Sequence, residues 1–279
     1  MLDIIVDTII DGLKVLPFLF VAFLIIEVVE HKFSDKSKKV LKHSGFFGPL
    51  FGALLGCFPQ CGFSVMATNL YVTRIISLGT LISIYLSTSD EMLPILLSNG
   101  CSFYEIIKLI GIKVLIGIVS GFLIDLIYRK NDRLGTWDLC DDEDCHCEKG
   151  IFISSLKHTL HIGVFLLVVN FILNTVMFYG GSEFLSKVLG ANTIIAPFIS
   201  CLIGLIPNCA SSVVITELYL SGVLSLSSTI SGLLTGSGVA LLVLFKNNKN
   251  MKENVKILLL VYFIGVISGL LLELLECFL

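Results

Sequence analysis

The sequence predicts an all-α polytopic membrane protein made of two inverted-topology repeats, each of about five helical segments including a broken helical hairpin. Three observations carry that expectation: too little charge for a soluble domain, an internal duplication, and basic loops placed differently in the two copies. Of the 279 residues, 55% are hydrophobic and 15% are charged, against about 25% charged in a typical soluble domain.

Apolar runs of roughly 20 residues, the length that crosses a hydrocarbon core, cover 13–29, 75–97, 106–127, 162–178, 224–245 and 257–275. The first residues are acidic (Asp3, Asp7, Asp11) and lack a basic n-region, so no cleavable signal peptide is expected. Their four-residue spacing makes a solvated helix face outside the membrane, with Lys14 snorkelling beside it. A net charge of −3 gives no attraction to nucleic acid. The nine cysteines do not form a disulfide framework, because Cys57, Cys61, Cys101, Cys201, Cys209 and Cys277 lie in apolar segments. They read as packing residues or metal ligands.

The duplication appears when the chain is laid over itself with an offset of 148 residues. Pro49-Leu-Phe-Gly-Ala-Leu-Leu-Gly56 then covers Pro197-Phe-Ile-Ser-Cys-Leu-Ile-Gly204, and Pro59-Gln60-Cys61 covers Pro207-Asn208-Cys209. From 49 to 96, 18 of 48 positions are identical without a gap, and the register still holds at Gly117 and Gly121 over Gly265 and Gly269. Chance similarity of apolar segments does not keep proline, glycine and cysteine in one register. The expected organisation is a first membrane repeat at 1–128, a linker at 129–148 and a second repeat at 149–279.

Orientation follows from lysine. The loop 31–44 holds five lysines and one aspartate, whereas its second-half counterpart, 180–192, holds only Glu183 and Lys187. Late in the repeats the bias reverses: 246–256 has four lysines and one glutamate, and 98–108 has Glu105 and Lys108. Basic loops face the cytoplasm, so equivalent loops face opposite sides. An odd number of crossings must then separate the early and late loops. Residues 46–57 would span only ~18 Å as a helix, and 62–73 is as short. The pair reads as a hairpin broken at Phe58-Pro59-Gln60, either re-entrant or two short crossings, with its twin at 202–220. Arg129, Lys130 and Lys157 put the linker in the cytoplasm and both termini outside.

Proline in an apolar helix removes a donor and frees a carbonyl, and such backbone survives at membrane depth only beside protein or a water-filled cavity. Paired breaks in equivalent positions point to a substrate site. Gln60, Cys61 and Ser64 gather at one, and Asn208, Cys209, Ser211 and Ser212 at the other. A lone break would be no more than a kink; two, each with an amide and a thiol, favour the site.

Ser87-Thr88-Ser89-Asp90-Glu91 lies inside the run 75–97. An acid at the bilayer centre costs about 2.5–3.5 kcal/mol, so it ordinarily faces a partner or a cavity. The second copy has Thr235-Gly236-Ser237-Gly238-Val239 here, without acids. Asp90 and Glu91 suit a hard divalent cation or a coupling proton, and Cys61 and Cys209 suit softer ions. The plainer alternative sets Asp90 and Glu91 near the outer interface, capping a helix or pairing with Lys108 or Lys113. Cys57, replaced by Leu205 in the second copy, reads as packing.

The linker carries Cys140-Asp-Asp-Glu-Asp-Cys145-His146-Cys147-Glu148. Three thiols, an imidazole and five carboxylates can capture zinc-like metals, although paired CxxC spacing is lacking. A solvated acidic linker is the bland alternative. His158 and His161 follow, equally suited to passing ions inward or to interfacial packing.

Pro59-Gln-Cys-Gly-Phe-Ser64, Ser87-Thr-Ser-Asp-Glu91, the Cys/His-rich linker and Ile206-Pro-Asn-Cys-Ala-Ser-Ser212 resemble bacterial ten-helix heavy-metal exporters, a family labelled arsenic efflux protein or manganese transporter. The resemblance spans essentially the whole chain. It implies efflux across the cytoplasmic membrane, and by position it implies roles for Gln60, Cys61, Asp90, Glu91, Asn208 and Cys209.

The expected function is secondary export of a divalent cation, manganese or similar, through Gln60, Cys61, Ser64, Ser87, Asp90, Glu91, Asn208, Cys209 and Ser212. The alternative is an arsenite or organoarsenical permease using Cys57, Cys61 and Cys209, and a further rival is a membrane sensor working through the linker. No GxxxxGK[ST] loop is present, so an ATP-driven pump is not expected in this chain. Nor is an enzyme, since neither thiol has an evident base, and no cofactor is expected. The expected partners are the ion and the bilayer, with homo-oligomerisation open.

Overall fold

The computed structural model describes residues 47–57, 61–89, 92–128, 151–176, 195–207 and 209–278, with Leu16, Pro17, Phe20, Val21 and Leu24 as helical positions before them. Among the described residues there are helices and no strand. In chain order they are α1 (Gly48–Gly56), α2 (Cys61–Val72), α3 (Leu78–Ser87), α4 (Met92–Ser98), α5 (Phe103–Tyr128) and α6 (Ile151–Val176). There follow α7 (Ala196–Gly204), α8 (Cys209–Leu220), α9 (Leu226–Thr235), α10 (Ala240–Asn247) and α11 (Met251–Phe278). The starts of α1 to α5 recur, 148 residues on, as the starts of α7 to α11.

The same residues punctuate both series. Pro49 and Pro197 lie in the first turns of α1 and α7, where a missing N–H costs nothing. Ser77 Oγ accepts the Thr80 N–H at 3.1 Å to cap α3, and Ser225 Oγ accepts the Ser228 N–H at 3.2 Å to cap α9. Both α2 and α8 end in a left-handed residue, Arg74 at φ 59° and Gly222 at φ 74°. Glycine is the usual occupant there.

One difference from the sequence reading is structural. The runs 75–97 and 224–245 are not continuous helices: each is interrupted, between α3 and α4 and between α9 and α10. Thr88 leaves α3 in an extended conformation, φ −53° and ψ 130°. Its hydroxyl donates back to the Ile84 carbonyl at 2.7 Å, and Ser87 donates to the Ser83 carbonyl at 2.9 Å. Such back-bonding offers the last carbonyls a partner other than the next turn. In the second copy Gly236 and Gly238 (φ 56°) do the same job.

Two trios organise the core: α1, α3 and α5, and their equivalents α7, α9 and α11. Small residues let the backbones meet, as in membrane helix interfaces. A Cβ on Gly121 would lie 2.8 Å from the Gly79 carbonyl and 2.8 Å from Pro49 Cβ; one on Gly265 would lie 2.7 Å from Thr235 Cγ2. The halves interlock through α2 on α10, α8 on α4, and α3 on α9.

Among the described residues, three helical stretches are long and apolar enough to cross a membrane: Phe103–Tyr128, Met251–Glu276 and the interrupted Leu226–Asn247. Burial sorts them: 83% of the most apolar part of Leu226–Asn247 is inside, against 22% and 28% for Phe103–Tyr128 and Met251–Glu276. The interrupted pair α9–α10 is therefore central, whereas α5 and α11 are peripheral. The latter expose apolar stripes at four-residue spacing, Leu115, Val119 and Leu123 on α5 and Leu259, Phe263, Ile267 and Leu271 on α11, the faces a lipid phase would cover.

Candidate functional site

In each half, two helix breaks lie side by side. Gly56, at the end of α1, packs against the last turn of α3: a Cβ there would meet Ser87 Oγ and come within 2.9 Å of the Ile84 carbonyl. Gly204, at the end of α7, is pressed in the same way against Gly232 and Thr235 of α9. Thr235 Oγ1 donates to the Cys201 carbonyl at 2.9 Å, tying the two elements together. Glycine is required at 56 and 204 because a larger residue would push the two breaks apart.

The halves meet at these tips. Thr68, a buried α2 residue, shares a 2.6 Å hydrogen bond with Tyr85 Oη of α3, and its hydroxyl lies 3.5 Å from the carbonyl oxygen of Ala240, where α10 begins. The equivalent contact is α8 on α4. Each interrupted helix thus abuts the helix that follows the proline break in the other half.

Of the residues singled out from sequence, Ser64 and Ser87 are fully buried and Ser212 is half-buried. The Ser64 and Ser212 carbonyls accept Thr68 and Thr216 hydroxyls at 2.8 and 2.7 Å. Cys61 and Cys209 are the first residues of α2 and α8. Gln60, Asp90, Glu91, Asn208 and the linker residues Cys140, Cys145, His146 and Cys147 fall outside the described residues. Among the described residues no three His, Cys, Asp or Glu side chains cluster as a metal site.

Two further residues belong with the site: Lys113, which the sequence offered only as a partner for Asp90 or Glu91, and Ser237. Lys113 is 1% exposed on the buried stripe of α5, between Leu109 and Gly117, and its Nζ donates to the Thr88 carbonyl at the tip of α3. Cys57 at the end of α1 lies within electrostatic range of that ammonium. Ser237, the equivalent of Ser89, is fully buried with no described hydrogen-bond partner for Oγ. Gly-Ser-Gly inside an apolar run was the signal for the second; for Lys113 it was a lysine ten residues into α5.

Away from the tips, Arg74 Nη1 and Nη2 donate to Glu253 Oε1 and Oε2 at 2.7 and 2.8 Å, and Tyr71 Oη donates to the same carboxylate. These hydrogen bonds hold the Arg74 guanidinium above its ordinary pKa. The pair ties the end of α2 to the start of α11. At the equivalent place Tyr219 is near Glu105, but glycine replaces the arginine.

Apolar outer helices around a core of interrupted, small-residue-packed helices define a multi-span membrane protein of the transporter class. The chain belongs to the family described as "Putative, 10TM heavy-metal exporter", which matches residues 1–149 and 137–250. Membership makes metal efflux across a membrane its family role, and a transporter family is not an enzyme class. No curated protein and no solved structure matches the chain.

Proposed function

We propose that this chain is a secondary exporter of a divalent metal cation, manganese or a similar ion, across the bacterial cytoplasmic membrane. It works by alternating access between two inverted repeats, 1–128 and 149–279, joined by the linker 129–148. The observation that carries the reading is the set of four helix breaks, two per half, with each interrupted helix packed on the opposite half. Broken helices at a repeat interface supply carbonyls and helix ends to a cation. Asp90 and Glu91 follow one of these breaks in the chain and give it the hard oxygen ligands that manganese prefers. Gln60, Cys61, Ser64, Ser87, Asn208, Cys209 and Ser212 complete the proposed path.

Inversion is supported by where equivalent helices meet. The first turns of α11 reach the last residue of α5, with Lys256 Nζ 3.8 Å from the Tyr128 ring centroid. Asp125, near that end of α5, accepts Ser77 Oγ at 2.7 Å and the Gly79 N–H at 2.8 Å at the start of α3. The end of α5 and the start of its equivalent α11 therefore share one end of the bundle, as oppositely directed copies require. Arg129, Lys130, Lys246, Lys249, Lys252 and Lys256 gather there in the chain, which favours the cytoplasm for that end and the outside for both termini.

The metalloid reading keeps the thiols of Cys57, Cys61 and Cys209 as soft ligands. Accumulation of Mn(II), Zn(II), Fe(II), Co(II) and arsenite in metal-loaded bacteria separates the two. The cation reading expects Asp90→Asn to abolish protection against Mn(II) and Cys61→Ser to weaken it. Arsenite efflux that survives Asp90→Asn and is lost in Cys61→Ser would replace it with the metalloid reading.

A further inference from the structure

We infer that Lys113 is a tethered counter-cation: its ammonium holds the substrate's place at the tip of α3 in the empty carrier and is displaced when metal binds. The inference rests on the proposed reading of the α3–α4 break as the cation site.

Position comes first. Lys113 lies ten residues into the 26-residue helix α5, about 15 Å from its start, too deep for the side chain to snorkel to water there. Instead it is 1% exposed and its Nζ donates to the Thr88 carbonyl. That oxygen belongs to the residue capping the C-terminal end of α3, where the dipole is negative. A backbone carbonyl at the end of an interrupted helix is what a transported cation takes as a ligand. The ammonium already occupies it.

Packing holds the lysine in place. Gly117, one turn further along α5, is in contact with α3 and α1: a Cβ there would lie 3.0 Å from the Ser83 carbonyl and 3.7 Å from Ala53 Cβ. The close approach of the three backbones holds the Lys113 ammonium at the tip of α3, on the Thr88 carbonyl.

The second copy of the sequence lacks the lysine and the acids together. The residue equivalent to Lys113 is Val261, fully buried at the same depth of α11. Its neighbouring break is Thr235-Gly236-Ser237-Gly238, without a carboxylate. Lysine and acids both occur in the first half only. An exporter must return empty, and returning without a partner for the buried Thr88 carbonyl would leave an acceptor unsatisfied at membrane depth. The ammonium satisfies that oxygen on the empty step and yields to the stronger divalent charge on the loaded step.

The test separates the two steps in liposomes holding the purified full chain, with Mn(II) as the probe. Mn(II)–Mn(II) exchange uses only the loaded step, whereas net efflux also needs the empty return. Lys113→Met should lower net efflux at least about tenfold more than it lowers exchange, the effect of about 1.4 kcal/mol on the return barrier. Lys113→Arg, which keeps the charge, should retain net efflux. It carries the test if Lys113→Met does not purify as a folded species. Net efflux unchanged in Lys113→Met, equal loss of exchange and efflux in that variant, or abolition of net efflux in a folded Lys113→Arg would each overturn the inference while leaving the transport reading intact. Absence of exchange in wild type would overturn both.

Discussion

Replacing Glu253 with glutamine should weaken the contact between the two halves at the lysine-rich end by about 2 kcal/mol. The carboxylate receives both Arg74 donors, at 2.7 and 2.8 Å, and the Tyr71 hydroxyl. Bidentate, charge-assisted pairs are the strong ones, and breaking a fully buried pair costs about 3–5 kcal/mol. Here the side chains are 25% and 17% exposed, so solvent takes back part of that. An exposed pair would be worth about 0–1 kcal/mol, and the value expected lies between these limits. Glutamine keeps the shape and one acceptor for Tyr71, which isolates the charge. The assay is a double-mutant cycle of Arg74→Met, Glu253→Gln and the double variant, followed by thermal unfolding in detergent. A coupling energy near 2 kcal/mol would establish a latch joining α2 to α11. The singles should also speed opening at that end, seen as faster labelling of a cysteine introduced beside Asn247. A coupling energy below about 0.5 kcal/mol, the scatter expected of independent sites, would refute the reasoning.

Other consequences are as direct. Gly121→Ala sets a methyl against the Gly79 carbonyl and Pro49 and should destabilise by about 1–3 kcal/mol. On the same helix Gly111 has nothing within 4 Å of an added Cβ, so Gly111→Ala should be neutral or stabilise by up to about 1 kcal/mol in the same melts. Gly222→Ala meets open space but a φ of 74°, and should cost about 1 kcal/mol through backbone conformation alone. Deleting 138–148 should leave measurable metal flux, whereas a sensor working through its cysteines would lose function outright.

Much of the fold was legible because it depends on local chemistry. Pro49 and Pro197 mark helix starts, the pairs Pro59–Cys61 and Pro207–Cys209 bracket the entries to α2 and α8, and the duplicated register carries one copy onto the other. The α3–α4 break was not legible. Ser87, Thr88 and Ser89 bond back to nearby carbonyls and stay buried, so they interrupt a helix without interrupting the apolar run around them. Gly236 and Gly238 marked the equivalent break more openly, but glycine also occurs inside membrane helices. Lys113 appeared from sequence only as a pairing partner for Asp90 or Glu91. Its place beside Thr88 follows from how Gly117 and Gly121 set the register of α5 on α3, a tertiary fact. The Arg74–Glu253 pair joins residues 179 apart, and no local pattern announces it.

The most direct test of the central claim is Mn(II) movement across liposomes that contain this chain and no other protein. The account predicts saturable flux that is absent from protein-free liposomes and lost in Asp90→Asn. Mn(II) crossing no faster than in protein-free liposomes, with arsenite flux saturable instead, would contradict it.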